Sequence, residues 1–180
     1  MYFVVILSLY TYMVFGENRI NFITTIIKRY PMVRIKQIDD FIASQPIAMI
    51  GVSRNPKKFG FAAFRELKEK GMNVIPVNPH AEEIHGVKAF PDLKSIPEEV
   101  KGLLIMTRKD ATAAVVRDAM QQGIKNIWIQ QMSESREALK ELEGSDINYI
   151  YGQCILMYYK PHSIHKFHGR LKKLFGRWPK

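Results

Sequence analysis

The residues best suited to chemistry lie in one stretch, "GVSRNPKKFG", from Gly51 to Gly60. It follows the apolar run "IAMI" and leads into a pattern of helical period. Gly51 lets the backbone turn tightly after a strand, Val52 continues the turn, Ser53 and Asn55 offer side-chain hydrogen bonds, and Gly60 opens the next helix. The start of that helix presents unpaired N–H groups and the positive end of its dipole. Arg54, Lys57 and Lys58 add positive charge, and a guanidinium can hold a phosphate through two parallel bonds. Polyphosphate binding suits this chemistry. A tight strand-to-helix turn with surface lysines would carry the same residues.

The stretch departs from the dinucleotide fingerprint. That pattern is G-x-G-x-x-G, with an acid about twenty residues later that holds the ribose hydroxyls. Here Ser53 stands at the second glycine position, and the next strand ends in Val77-Asn78-Pro79 with no acid at its tip. A missing acid beside several cations favours a ligand with an extra phosphate on its ribose, as NADP has on the 2′ oxygen and coenzyme A on the 3′.

The elements that must position these residues follow from periodicity. "IKQIDDFIAS" reads as a helix with Ile35, Ile38, Phe41 and Ile42 on one face, broken by Pro46. "IAMIGVS" is a short apolar strand, and "FGFAAFRELKEKG" a helix with Phe61, Phe64 and Leu67 inward and Gly71 as its stop. "MNVIPVNP" is the second strand and "GVKAF" a short third one. "PDLKSIPEEV" is a loop or short helix, and "KGLLIMT" another buried strand. "KDATAAVVRDAMQQG" is a helix with Asp110 near its N-cap and Val115, Val116, Ala119 and Met120 on the apolar side. "NIWIQQ" is a strand, "SESREALKELEG" a helix with Ala138, Leu139 and Leu142 inward, and "INYIYGQ" the last strand. Strands that are apolar throughout, alternating with helices, predict a single α/β domain of Rossmann-like, doubly wound form around a mostly parallel sheet. Ligands of such sheets bind beyond the carboxyl ends of the strands, where the strand order reverses.

Read together, "IAMIGVSRNPKKFG" and "LKEKGMNVIPVNPHAEEIHGVKAFPDLKSIP" closely resemble the small stand-alone bacterial CoA-binding proteins, relatives of the CoA-binding domain of the succinyl-CoA synthetase alpha subunit. The shared pattern is a strand, G-x-S-R-x-P, a glycine opening the helix, then V-x-P-V-N-P and G-x-x-x-[FY]-P-x-L-x-x-[IL]-P. It spans about Ile47 to Pro97, with weaker similarity to about Gln153. The resemblance implies coenzyme A, or an acyl-CoA, bound through its ADP portion. Val52 to Asn55 would sit near the pyrophosphate and Val77, Asn78 and Pro79 along the adenosine. Met106, Thr107 and Arg108 would flank the nucleotide from the other side. Lys57 and Lys58 are phosphate contacts on charge grounds alone. Succinyl-CoA synthetase uses a phosphorylated histidine on a further domain that this sequence does not contain, so ligase activity does not carry over. The expected role is a non-catalytic binding or regulatory protein with no catalytic residue assigned. An NADP- or other nucleotide-binding enzyme or sensor is the alternative. A third reading is an interaction module with a vestigial site.

The remaining reactive side chains suit ordinary structural roles. Cys154 follows the last strand, where a thiol could form a mixed disulfide with CoA, but a free cysteine is often a small buried apolar residue. Gln130 and Gln131 could hydrogen-bond a ligand at a strand end. His162, His165 and His168 recur every three residues in the basic tail; a solvated basic helix is favoured over a metal pair, and no metal site is expected.

Composition bounds the rest. Of 180 residues nearly half are hydrophobic and about a quarter charged, as in ordinary globular domains. One cysteine excludes an internal disulfide framework and favours a reducing, cytoplasmic setting. The net charge of +10 is concentrated from Tyr159 onward, where seven Lys or Arg occur without an acid. Such a tail suits an acidic partner or a solvated end, and no specific nucleic-acid motif accompanies it. Ile164, Phe167, Leu171, Leu174 and Phe175 fall at helical spacing there and suit docking on the domain, which is favoured, on a second copy in a homo-oligomer or on a membrane surface. "MYFVVILSLYTYMVF" is shorter than a spanning helix needs, so no transmembrane span is expected. Residues 1–31 hold no alanine and read as a non-domain extension, with Met32 as the expected initiator. The expected division is residues 1–31, a CoA-binding domain over 32–160, and a basic helix or tail over 161–180.

Overall fold

The computed structural model describes residues 33–97 and 99–162 and, further on, His165, Gly169, Arg170, Lys173, Leu174 and Pro179. The expectations for residues 1–31 and for Ile164, Phe167, His168, Leu171 and Phe175 lie outside the described residues.

Helix α1 (Ile35–Ala43) leads into strand β1 (Ile47–Ile50), helix α2 (Phe59–Glu69) and strand β2 (Val74–Val77). A short antiparallel pair follows, β3 (Glu83–Ile84) with β4 (Val87–Lys88). Then come β5 (Gly102–Ile105), α3 (Lys109–Gln121), β6 (Asn126–Gln130), α4 (Arg136–Leu142), β7 (Asn148–Gln153) and a 3-10 turn at Ile155–Met157. The main sheet has the order β2-β1-β5-β6-β7, and every neighbouring pair is parallel. The predicted doubly wound α/β domain is what forms.

The apolar runs are continuous because both faces of the sheet are covered. Ile47 and Met49 of β1, Leu104 of β5, Trp128 of β6 and Ile150 of β7 face a core closed by Ile38 and Phe41 of α1 and by Phe64 and Leu67 of α2. Ala48, Leu103, Ile105, Ile127 and Ile129 point to the opposite core, closed by α3 and α4 and by Leu93 and Ile96 of the β4–β5 connection. Trp128 is fully buried, tilts against Phe41 at 5.3 Å and donates from Nε1 to Gln153 O at 3.1 Å.

Some local expectations are corrected. "GVKAF" is not one strand. Only Val87–Lys88 pairs, with β3, while Phe90 makes a single parallel bridge to Val77. The buried face of α3 is Thr112, Ala113, Val116 and Ala119; Val115 and Met120 are half-buried. Thr112 faces inward because its hydroxyl has protein partners there, which apolar periodicity does not register. Asp110 lies near the N-cap of α3 as expected, in its first turn, and the N-cap itself is Arg108. Among the described residues no helix is long and apolar enough to cross a membrane.

Candidate functional site

The strand order reverses between β1 and β5: the chain leaves β1 toward β2 on one side and later returns to β5 on the other. Ile50 pairs with Val77 and with Ile105, so the three strands end level. Gly51, Asn78 and Met106 are the next residues of each. This edge brings together three of the segments singled out by sequence.

Gly51 has φ +91°, and a Cβ there would fall 2.5 Å from Met106 O and 2.6 Å from Met106 C. The turn after β1 therefore lies directly against the backbone leaving β5, and Met106 N donates to Ile50 O at 2.8 Å. At Gly60 a Cβ would lie 2.5 Å from Gly51 O. The two glycines let the start of α2 settle on the turn, a close approach that a side chain would block.

Within the turn, side-chain oxygens support the backbone. Ser53 Oγ accepts from Asn55 N at 3.1 Å, and Asn55 Oδ1 accepts from Lys57 N at 2.9 Å. These local bonds shape the loop and leave the Ser53 hydroxyl proton and the Asn55 amide hydrogens available. The N-cap of α2 is Lys58 and that of α3 is Arg108, and neither has a side-chain cap bond. Two helix starts with no side-chain cap bond and with basic N-cap residues thus follow β1 and β5, an arrangement that favours an anion.

Asn78 acts as a brace. Its Nδ2 donates to Val52 O at 2.7 Å and its Oδ1 accepts from His80 N at 2.8 Å, tying the tip of β2 to the turn after β1. Asn78 N also donates to Phe90 O at 2.8 Å, and Phe90 N donates to Pro76 O at 3.0 Å. Phe90 so extends the sheet by one residue and turns Pro91, Asp92 and Leu93 over the strand ends.

The result is a cleft of about 440 Å³ walled by Gly51, Val52, Ser53, Val77, Asn78, Pro79, His80, Pro91, Asp92, Leu93, Thr107 and Asp118. A wider depression of about 730 Å³ adjoins it and shares Gly51, His80 and Thr107, with Met106, Arg108, Asp110 and Ala111 beyond. Together they form a trough across the reversal point. Residues 45–160 match the family model described as the CoA binding domain. The chain belongs to the CoA-binding domain family.

Members and neighbours of the CoA-binding family resemble it over different spans. The alpha subunit of an acetate–CoA ligase [ADP-forming] II from Pyrococcus furiosus is 35% identical over 126 residues, which cover 66% of this chain and 27% of that protein. The chain thus spans about a quarter of that ligase subunit. A short Bacillus subtilis protein, the uncharacterized YneT, is 28% identical over 112 residues, 62% of this chain and 83% of that one. The solved structure of a conserved hypothetical protein from Pyrococcus furiosus has 34% identity and a TM-score of 0.58, covering 61% of this chain and 95% of that one.

Not every residue singled out by sequence lines the trough. Gly51, Val52, Ser53, Val77, Asn78, Pro79, Met106, Thr107 and Arg108 do. Arg54, Asn55, Lys57 and Lys58 are exposed on the turn at its side, and Gly60 lies behind it. Arg54, Lys57 and Lys58 have no carboxylate partner among the described residues, whereas Arg108 is paired with Asp110 at 2.6 Å. Gln130 is buried, and its Oε1 accepts from Ile155 N at 3.2 Å, so it braces the 3-10 turn and does not face a ligand. Cys154 is half-buried against the first core. Burial pushes the phenol of its neighbour Tyr158 well up, reinforced by that thiol, and Tyr158 Oη donates to Gln153 Oε1 at 2.8 Å. Among the described residues no group of three His, Cys, Asp or Glu could hold a metal ion. Asp92 and Leu93 are wall residues that strand-end reasoning missed. Their signal was the "FPDL" segment, whose place over β2 depends on the Phe90 bridge.

Proposed function

We propose that the chain binds coenzyme A or an acyl-CoA through its ADP portion in the trough across β1 and β5, as a binding or regulatory protein without a reaction of its own. The observation that carries this reading is the Gly51 turn. In a CoA-binding domain it brings the backbone of β1 against that of β5, opens a cleft beside it and leaves on its outer side three cations without a carboxylate partner among the described residues. The pyrophosphate lies against Val52 to Asn55, where the start of α2 adds N–H groups and dipole. The adenosine runs along Val77, Asn78 and Pro79, with Met106 to Arg108 opposite. Arg54, Lys57 and Lys58 take the remaining phosphate charge. The walls combine glycine and apolar residues with hydrogen-bonding side chains, His80, Asp92 and Asp118 among them, and the reading as a binder rests on the CoA-binding family match and the phosphate-binding turn.

Isothermal titration with CoA, acetyl-CoA, NADP and NAD tests this. CoA or acetyl-CoA is expected to bind and to raise the melting temperature, with NADP and NAD weaker. Heat from NADP alone, with none from CoA at millimolar concentration, refutes it. Arg54→Ala is expected to weaken CoA by about 1.5–3 kcal/mol if its guanidinium makes a charged hydrogen bond.

A further inference from the structure

The cleft has a hydrogen-bonding polarity that follows from its protons. Thr112 is fully buried and its hydroxyl carries one proton. Two carbonyl oxygens stand within bonding distance of Thr112 Oγ1, Ser133 O at 2.7 Å and Arg108 O at 3.1 Å. Carbonyls only accept, so the Thr112 proton is committed to them. Thr107 Oγ1 lies 3.0 Å from Thr112 Oγ1. With the Thr112 proton already engaged, the donor in that pair is Thr107. Thr107 therefore offers the trough lone pairs and no proton.

Its surroundings agree. Asp92 Oδ1 accepts from Ser95 N at 2.8 Å and from Ser95 Oγ at 2.7 Å, and these bonds hold its carboxyl below the usual range, so it too only accepts. The Asn78 amide commits one of its two hydrogens to Val52 O. Side-chain donors stand at Ser53 and the exposed cations of the first turn, and at Arg108, which is paired with Asp110 at 2.6 Å.

We propose that Thr107 is a specificity-determining residue that accepts a hydrogen bond from an O–H or N–H of the nucleotide, the ribose 2′ hydroxyl or the adenine amine. This rests on the CoA-binding reading and sets a donor group of the ligand against Thr107 Oγ1. A phosphate on the contacted hydroxyl would meet lone pairs with no proton to share.

The test is calorimetric titration of the full chain with CoA, its 2′-deoxy analogue and its hypoxanthine analogue, against wild type, Thr107→Val and Thr107→Ser. In wild type one analogue is expected to bind about fivefold more weakly than CoA, as loss of a neutral hydrogen bond predicts. Which one it is identifies the donor. Thr107→Val is expected to erase the difference and Thr107→Ser to keep it. Equal binding of all three ligands to wild type, or a difference that survives Thr107→Val, overturns this proposal and leaves CoA binding standing. No binding of CoA itself refutes the underlying reading, and this one with it.

Discussion

Replacing Gly51 by alanine separates two costs that usually arrive together. At φ +91° an L-residue incurs a left-handed backbone penalty of about 1–2 kcal/mol. The added Cβ also falls 2.5 Å from Met106 O and 2.9 Å from Thr107 N, backbone atoms that cannot swing aside as a side chain would. Overpacking of this kind costs about 1–3 kcal/mol. Gly86 supplies the control. Its φ is +72°, and a Cβ there would meet nothing within 4 Å, so Gly86→Ala carries the backbone term alone. Chemical denaturation is expected to show Gly86→Ala destabilised by about 1–2 kcal/mol and Gly51→Ala by about 2–5 kcal/mol. In a chain of this size each kcal/mol lowers the melting temperature by about 2–4 °C. CoA titration of Gly51→Ala at a temperature where it stays folded should also show weakened binding, because relief of the overlap must part the ends of β1 and β5. Equal losses in the two variants would refute the claim that the backbones touch at Gly51.

Asn78→Asp places a second acceptor against Val52 O, and should cost about 1–3 kcal/mol of stability and weaken CoA, while Asn78→Ala costs less than Asn78→Asp; denaturation and titration of both variants check the order. Trp128→Ala empties a fully buried site and is expected to cost about 3–5 kcal/mol by urea denaturation, and Trp128→Phe, which mainly loses the bond to Gln153 O, about 1 kcal/mol. The Tyr158 phenol is raised in the folded chain by burial. Its contribution to stability is therefore fully present below the unfolded value near pH 10 and falls as pH rises beyond it, because only the unfolded chain ionises readily there. Melting curves from pH 8 to 11.5 should show a decline in wild type that is shallower in Tyr158→Phe.

Periodicity and strand-end logic recover the parts of this molecule that depend on local pattern. The four main helices and the five strands of the sheet appear where apolar spacing puts them, because each strand is buried on both faces and each helix on one. The Gly51 turn is legible for a similar reason: a glycine between an apolar strand and a helix marks a backbone reversal that a side chain would strain. What pattern does not show is which hydrogen-bonding groups are already engaged within the protein. Asn78 looks from sequence like a ligand contact at a strand tip, and the fold also uses it as a brace, with one amide hydrogen on Val52 O and Oδ1 accepting from His80 N. Gln130 looks like a polar strand end and is a buried brace for the 3-10 turn. Thr112 sits where α3 should be apolar, its hydroxyl donating to Ser133 O and lying 3.0 Å from that of Thr107.

The distribution of donors and acceptors also accounts for the missing acid at the tip of β2. From sequence, its absence counts against a ligand with free ribose hydroxyls, because the fingerprint acid is expected at that tip. The fold supplies acceptors to this edge by another route. The Phe90 bridge swings Asp92 over β2, and the buried Thr112 turns Thr107 into an acceptor at the tip of β5. Asp92 and Thr107 therefore put acceptors on the cleft wall without any acid at the expected position, while Arg54, Lys57 and Lys58 stand on the turn after β1 and Arg108, paired with Asp110, at the start of α3. An elongated ligand with hydroxyl and amine donors at one end and phosphates at the other matches that division. The 3′-phosphate of CoA leaves its 2′ hydroxyl free to donate, whereas the 2′-phosphate of NADP does not. The absent acid thus says little about whether a ribose is held here; the position of its extra phosphate is what the two walls can distinguish.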